Sequence, residues 1–153
     1  EIVKKHIAIE ILLNLIIGRS SNLYKKIYNE GLTSGKPSLD YEFARDYAHI
    51  LISGKSENPE KIYELFKQEI ANMKENGINE NNFKRIKKMI YGGYIREFDD
   101  VANISRMFLA DYFKGINSFD YLEEIEGVNV EYTEQVLKNV FKEEKMINSI
   151  VKN

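Results

Sequence analysis

Gly18-Arg19-Ser20-Ser21-Asn22-Leu23-Tyr24-Lys25-Lys26-Ile27-Tyr28-Asn29-Glu30-Gly31-Leu32 is the stretch on which the reading of the fold turns. It follows the most apolar run of the chain and precedes its clearest alternation of apolar and polar residues, which makes it the corner where a buried helix hands over to a sheet. Gly18 ends the apolar run, and the hydroxyl of Ser20 or Ser21 meets the free backbone N–H groups that open a short new helix. Leu23, Tyr24, Ile27 and Tyr28 recur at helical spacing on one face of it, and Gly31 stops it. Gly18, Ser20, Ser21 and Gly31 form an architectural motif, and spacing assigns no catalytic, metal-binding or substrate-binding residue here.

Upstream, from Ile2 to Ile17, apolar residues occupy most positions, while His6, Glu10 and Asn14 fall four apart on one narrow stripe that continues to Gly18. Such a helix is covered on nearly all sides. The run from Ile7 to Ile17 is shorter than the roughly 20 residues that cross a bilayer, and Glu10 and Asn14 interrupt it.

Downstream, residues 33–38 read as a surface loop. Leu39 to Ala44 and Tyr47 to Ser53 alternate around Arg45-Asp46, predicting an antiparallel hairpin with both faces at least half covered. Asn58-Pro59-Glu60 is the clearest helix start, leading a stripe of Ile62, Leu65, Phe66, Ile70 and Met73 to a stop at Gly77. Asn79 opens the next helix, with Ile78 and Phe83 as a hydrophobic staple and Phe83, Ile86, Ile90 and Tyr94 inward. Gly92-Gly93 within it predicts a kink or a close packing contact. Asp99 or Asp100 caps a helix burying Val101, Ile104, Phe108 and Tyr112 and ending at Gly115. A short helix runs from Ser118 to Ile125, stopped by Gly127, and Asn129 caps a last one with Val136, Leu137, Val140 and Phe141 inward. Lys145 to Val151 reads as a strand. This order predicts an α+β fold with helices packed on a mostly antiparallel sheet, because a doubly wound fold would alternate strand and helix throughout.

The 153 residues suffice for a single unit with a real core, at 43% hydrophobic and 30% charged residues. A net charge of -2 and a pI near 5.8 supply no whole-molecule field toward nucleic acid or an anionic membrane, so neither is an expected partner. The absence of cysteine removes disulfides and thiolate chemistry; with no leader ahead of Glu1, it sets cytoplasmic location as the expectation. The start at Glu1 reads as that of an excised fragment.

His6 and Glu10 have a spacing that can hold a metal, but the second histidine, His49, is not placed near them, so a polar stripe or an ion pair is the better reading. Lys84, Arg85, Lys87 and Lys88 with Tyr91, Tyr94 and Arg96 could make a nucleic-acid-binding face; a solvated helix face accounts for them more simply. A helical adaptor or nucleic-acid-binding module on this face, or a structural scaffold, is the alternative function.

Ile9-Glu10-Ile11-Leu12-Leu13-Asn14-Leu15, Gly18 to Tyr24 and Glu30-Gly31-Leu32 resemble the second half of bacterial zinc peptidases of the pitrilysin/insulinase type. The order continues through Ile52-Ser53-Gly54, Glu57-Asn58-Pro59-Glu60, Phe83 to Lys88 and Tyr112-Phe113-Lys114-Gly115, so the resemblance covers almost the whole chain. It implies a repeated α+β unit in which two units pair, within one chain or between chains, around a chamber. A homodimer is one such pairing. The zinc belongs to the first unit, on the motif H-x-x-E-H with a distant glutamate. That motif is absent here: in His6-Ile7-Ala8-Ile9-Glu10 the glutamate comes one position late and no histidine follows. The resemblance therefore implies a non-catalytic C-terminal unit of a zinc metallopeptidase, without zinc of its own and not active alone, partnered by the zinc-bearing unit and by peptide substrate in the parent protein. An arginine and a tyrosine that some members contribute from this unit align with Tyr28 and Ser34, and neither matches. A strand expected before the first helix is missing too, which leaves a sheet edge unpaired.

Overall fold

In the computed structural model, which describes residues 1–44 and 46–151, α1 (Ile2–Ile16) is the axis on which the rest of the chain packs. Val3, Ile7, Ala8, Ile9, Ile11, Leu12, Leu13 and Ile16 are all buried, on every side of the helix. They are enclosed by α2 (Asn22–Asn29), β1 (Ser38–Phe43), α3 (Pro59–Asn76), α4 (Glu80–Glu97), α6 (Asp120–Gly127) and α7 (Val130–Val140). Each fully buried isoleucine or leucine contributes about 1.5–3 kcal/mol, so this one helix is the largest single source of hydrophobic stabilisation. Its polar stripe faces β1, the far half of α4 and the start of α6.

Five helices start where a short polar side chain caps them. Ser21, Asn58, Asn79, Asp100 and Asn129 accept from the backbone N–H of Tyr24, Lys61, Asn82, Asn103 and Tyr132 at 3.0, 3.1, 3.0, 2.8 and 2.9 Å. Each cap is worth about 1 kcal/mol. Ile78 and Phe83 are both buried across the α4 start, as a staple requires. α2 ends with Gly31 at φ 69°, where Leu32 N–H donates to Ile27 C=O and Gly31 N–H to Tyr28 C=O, a Schellman closure that needs the left-handed residue. Gly18 is required for another reason. A Cβ on it would lie 2.5 Å from the carbonyl oxygen of Asn14, so the chain turns out of α1 against its own last turn.

β1 and β2 (Ala48–Ser53) form an antiparallel pair with Tyr41 opposite Ile50, and Ala44 N–H donates to Tyr47 C=O at 2.9 Å. Arg45 of the expected turn lies outside the described residues. The fold is α+β, with helices against this antiparallel pair.

Several expectations are corrected. Only one face of the hairpin is covered: Leu39, Tyr41, Ile50 and Ile52 pack inward, whereas Tyr47 and Leu51 are more than half exposed and His49 is exposed. Residues 145–151 form no strand, because the single 3₁₀ turn Glu143–Lys145 is followed by chain without a ladder partner among the described residues. α6 begins at Asp120 rather than Ser118, and Gly127 is its last residue instead of its stop. Nothing lies within 4 Å of a Cβ on Gly92 or Gly93, so the glycine pair marks no close contact in α4. The largest discrepancy is α5 (Val101–Phe113): Val101 and Tyr112, expected inward, are 79% and 75% exposed, and its one buried residue is Asp111.

Candidate functional site

The polar stripe of α1 floors an open groove of about 890 Å³ whose walls are β1, the end of α4, α5 and the start of α6. His6, Glu10 and Asn14 line it from one side of α1. Tyr94 of α4 donates its hydroxyl to Glu10 Oε2 at 2.6 Å, and His6 Nδ1 shares a 2.8 Å hydrogen bond with the hydroxyl of Tyr121 on α6. The His6 ring meets Tyr41, Phe43 and Tyr121 edge-on at 5.2–5.4 Å between centroids. Beside it, Ser118 Oγ donates to Asp111 Oδ2 at 2.6 Å, both residues being buried. Asn14 Nδ2 turns back to the Glu10 carbonyl at 2.9 Å.

Burial sets the charges here. It holds His6 down at about 4, assisted by the positive charge of Lys114, so the imidazole is neutral at pH 7. It raises the Glu10 carboxyl, partly offset by the Tyr94 hydrogen bond. Tyr94 and Tyr121 are pushed well above the usual tyrosine range by burial and by neighbouring carboxylates, and keep their hydroxyl protons. The cluster is a satisfied polar seam: no buried side-chain nitrogen or oxygen among the described residues lacks a partner.

His6 and Glu10 do not form the ion pair that their spacing allowed, since each is bonded to a tyrosine and His6 is uncharged. They also do not suit zinc. His6 Nδ1 and the Glu10 carboxylate are bonded to different phenols, His49 is exposed on β2, and no three acidic, histidine or cysteine side chains converge among the described residues to complete a ligand set. Of the motif at the corner, Ser21 is the cap of α2, while Ser20 Oγ accepts from Arg85 Nη1 at 2.8 Å, tying the corner to α4. Tyr28 and Ser34 are exposed and outside the groove.

The basic run on α4 is largely engaged. Lys84 pairs with Glu80 at 2.7 Å, and Lys87 donates to the carbonyls of Glu126 and Val128 at 3.0 and 2.8 Å, which closes the C-terminal end of α6. The groove residues that sequence reasoning missed are Asp111, Ser118 and Tyr121. Their signal was faint: an aspartate next to Tyr112, a serine ahead of a short helix, and a tyrosine beside an acidic run.

Residues 3–90 match the family model described as the Peptidase M16 inactive domain. The chain is similar to the Uncharacterized zinc protease YmfH of Bacillus subtilis (strain 168), 20% identical over 138 residues, covering 90% of this chain and 32% of that protein. It superposes with a TM-score of 0.83 at 22% identity on a protein described as an M16-like peptidase from Alicyclobacillus acidocaldarius, over 89% of this chain and 33% of that one. The chain thus spans about a third of the length of these relatives. No helix among the described residues is long and apolar enough to cross a membrane. With more than half its residues matched by the family model, and with the fold of an M16-like peptidase, this chain belongs to the inactive-domain family of the M16 peptidases.

Proposed function

We propose that this chain acts as a non-catalytic unit of a longer zinc metallopeptidase, packing on the zinc-bearing unit of the same or a sister chain and forming part of the wall of the chamber that holds peptide substrate. The observation that carries this reading is the family match over residues 3–90, combined with a groove in which His6 and Glu10 are bonded to tyrosine hydroxyls and Asp111 to a serine. α5 supports the packing role, since Val101, Leu109, Tyr112 and Phe113 are all more than half exposed on it, as a helix that meets another unit would be. Zinc, on this reading, is held by the partner unit, and none of the residues described here bonds to it.

The test is reconstitution. The 153-residue chain alone binds no stoichiometric zinc and cleaves no peptide, and adding it to the isolated zinc-bearing unit of its parent raises peptide cleavage. Stoichiometric zinc by elemental analysis, or cleavage by the chain alone, overturns the reading.

A further inference from the structure

The joint between α3 and α4 carries a chemistry unrelated to the groove. Asn76 is the last residue of α3 and Gly77 follows it, the only Asn-Gly pair in the sequence. Both are exposed. Asparagine is chemically labile because the backbone nitrogen of the next residue can attack its side-chain carbonyl carbon. Glycine in that next position leaves the nitrogen unshielded and the backbone free to bring it in. Other asparagines are worse placed. Asn58 precedes proline, which has no N–H to give up, Asn117 precedes Ser118, which is buried and bonded to Asp111, and most of the rest precede large side chains. Asn148, before Ser149 on exposed chain, is the nearest rival. Two hydrogen bonds restrain the reacting groups at the joint: Gly77 N–H donates to Met73 C=O at 3.0 Å, and Asn76 Nδ2 donates to Asn72 Oδ1 at 2.6 Å. Both belong to the last turn of a helix, which opens at little cost.

We propose that Asn76 is a site of spontaneous covalent modification, deamidation through a cyclic imide with Gly77, and that the product loosens the joint of α3 and α4. The Gly77 nitrogen gives its proton to solvent hydroxide and its electron pair forms a bond to Asn76 Cγ. The Cγ–Nδ2 bond breaks, and Nδ2 takes a proton from water and leaves as ammonia. Water then opens the ring at either carbonyl, and nothing is oxidised or reduced. Opening at Cγ gives aspartate; opening at the main-chain carbonyl gives isoaspartate, whose main chain runs through Cβ and Cγ and is one carbon longer. The joint that receives this change is tightly set. Gly77 adopts φ 79°, and a Cβ on it would lie 3.0 Å from Oε1 of Glu134 on α7. The same oxygen accepts the Ile78 N–H at 2.9 Å, and Ile78 is buried in the staple with Phe83. A longer backbone ahead of Gly77 displaces both residues from that carboxylate. Either product also adds a negative charge at the C-terminal end of α3, where the helix dipole opposes it, next to the residue that Glu134 approaches.

The inference stands on the α3–α4 joint and does not require the peptidase reading. The chain is aged in oxygen-18 water at mildly alkaline pH, folded and in urea, then digested in ordinary water and mapped by mass spectrometry. Oxygen-18 is expected at Asn76 ahead of every other asparagine, with isoaspartate as the larger product. Conversion should run severalfold faster in urea, where the bond from Gly77 to Met73 is gone. Asn76→Gln, at an exposed position, should leave the fold intact and abolish labelling there. In the isoaspartate form, separated by chromatography, the Ile78 amide should exchange at least about fivefold faster, as the loss of one hydrogen bond implies, whereas the Asn76→Gln chain aged alongside keeps its original exchange. Label appearing first at Asn148, or a folded chain unlabelled at Asn76, overturns the site. Unchanged Ile78 exchange in the isoaspartate form overturns the loosening of the joint.

Discussion

α1 and α5 are both rich in apolar residues, yet they have opposite fates. α1 is enclosed on all sides by six other elements, and its one polar stripe is turned into the groove. α5 packs broadly on no other element among the described residues. It is held along its second half, by the ring contacts of Phe108 with Phe98 and Phe119, by the buried Asp111 to Ser118 bond, and by Lys114 over the Phe43 ring at 4.6 Å. Hydrophobic content alone therefore does not place a helix in a core. What separates the two is the pattern of neighbours: α1 is met by elements both before and after α5, whereas Val101, Leu109, Tyr112 and Phe113 of α5 stay exposed.

Truncations should separate the two helices most sharply. Ile11→Ala or Leu12→Ala in α1 is expected to cost about 2–5 kcal/mol in urea unfolding, and Leu109→Ala or Tyr112→Ala in α5 less than about 0.5 kcal/mol. Comparable losses in both helices would erase the distinction. Next in size is the polar side of α1. His6 is held at about 4 in the folded chain against 6.5 when free, so the unfolded chain binds its proton first and stability falls as pH drops from about 6.5 to about 4. The loss over that window is at most about 3 kcal/mol. Glu10 acts with the opposite sign, because its raised carboxyl keeps its proton longer in the folded state and its contribution declines as pH rises above 4.5. His6→Gln should flatten the pH 4 to 6.5 limb; an unaltered limb would remove His6 as its source.

The start of α2 comes third. Ser21→Ala should cost about 1 kcal/mol by loss of the cap, whereas Ser20→Ala, which releases only an exposed bond from Arg85, should cost less than about 0.5 kcal/mol. Equal effects would show that the hydroxyl pair shares the capping role. Smallest is Gly92→Ala in α4: with open space around the added methyl, it should stabilise by up to about 1 kcal/mol, and a loss would reveal a constraint on the helix there.

Local signals reached the structure well, because the residues that make them sit within four positions of one another. The caps at Ser21, Asn58, Asn79, Asp100 and Asn129 and the stop at Gly31 all follow from that short range. The all-round burial of α1 was readable too, since a helix with so few polar positions has no face to give to water. The groove was not. It joins His6 to Tyr121 and Glu10 to Tyr94 across 115 and 84 positions, and no periodicity reports on such distances. α5 misled for a related reason: the helical spacing of Val101, Ile104, Phe108 and Tyr112 is real, but burial needs a neighbour that the local pattern cannot supply. Lys145 to Val151 likewise has strand-like residues and no described strand to pair with.

The enclosure of α1 also sets a schedule for synthesis. The helix is made at the start of this stretch, but α7, one of its main covers, is complete only at Val140. At about 5–20 residues per second, its isoleucines wait roughly 6–25 s beyond the ribosome before their last neighbours arrive. During that interval Ile7 to Ile17 is the most apolar run of this stretch without its full cover. The helix that carries the largest share of the buried core is thus also the one that waits longest for its neighbours.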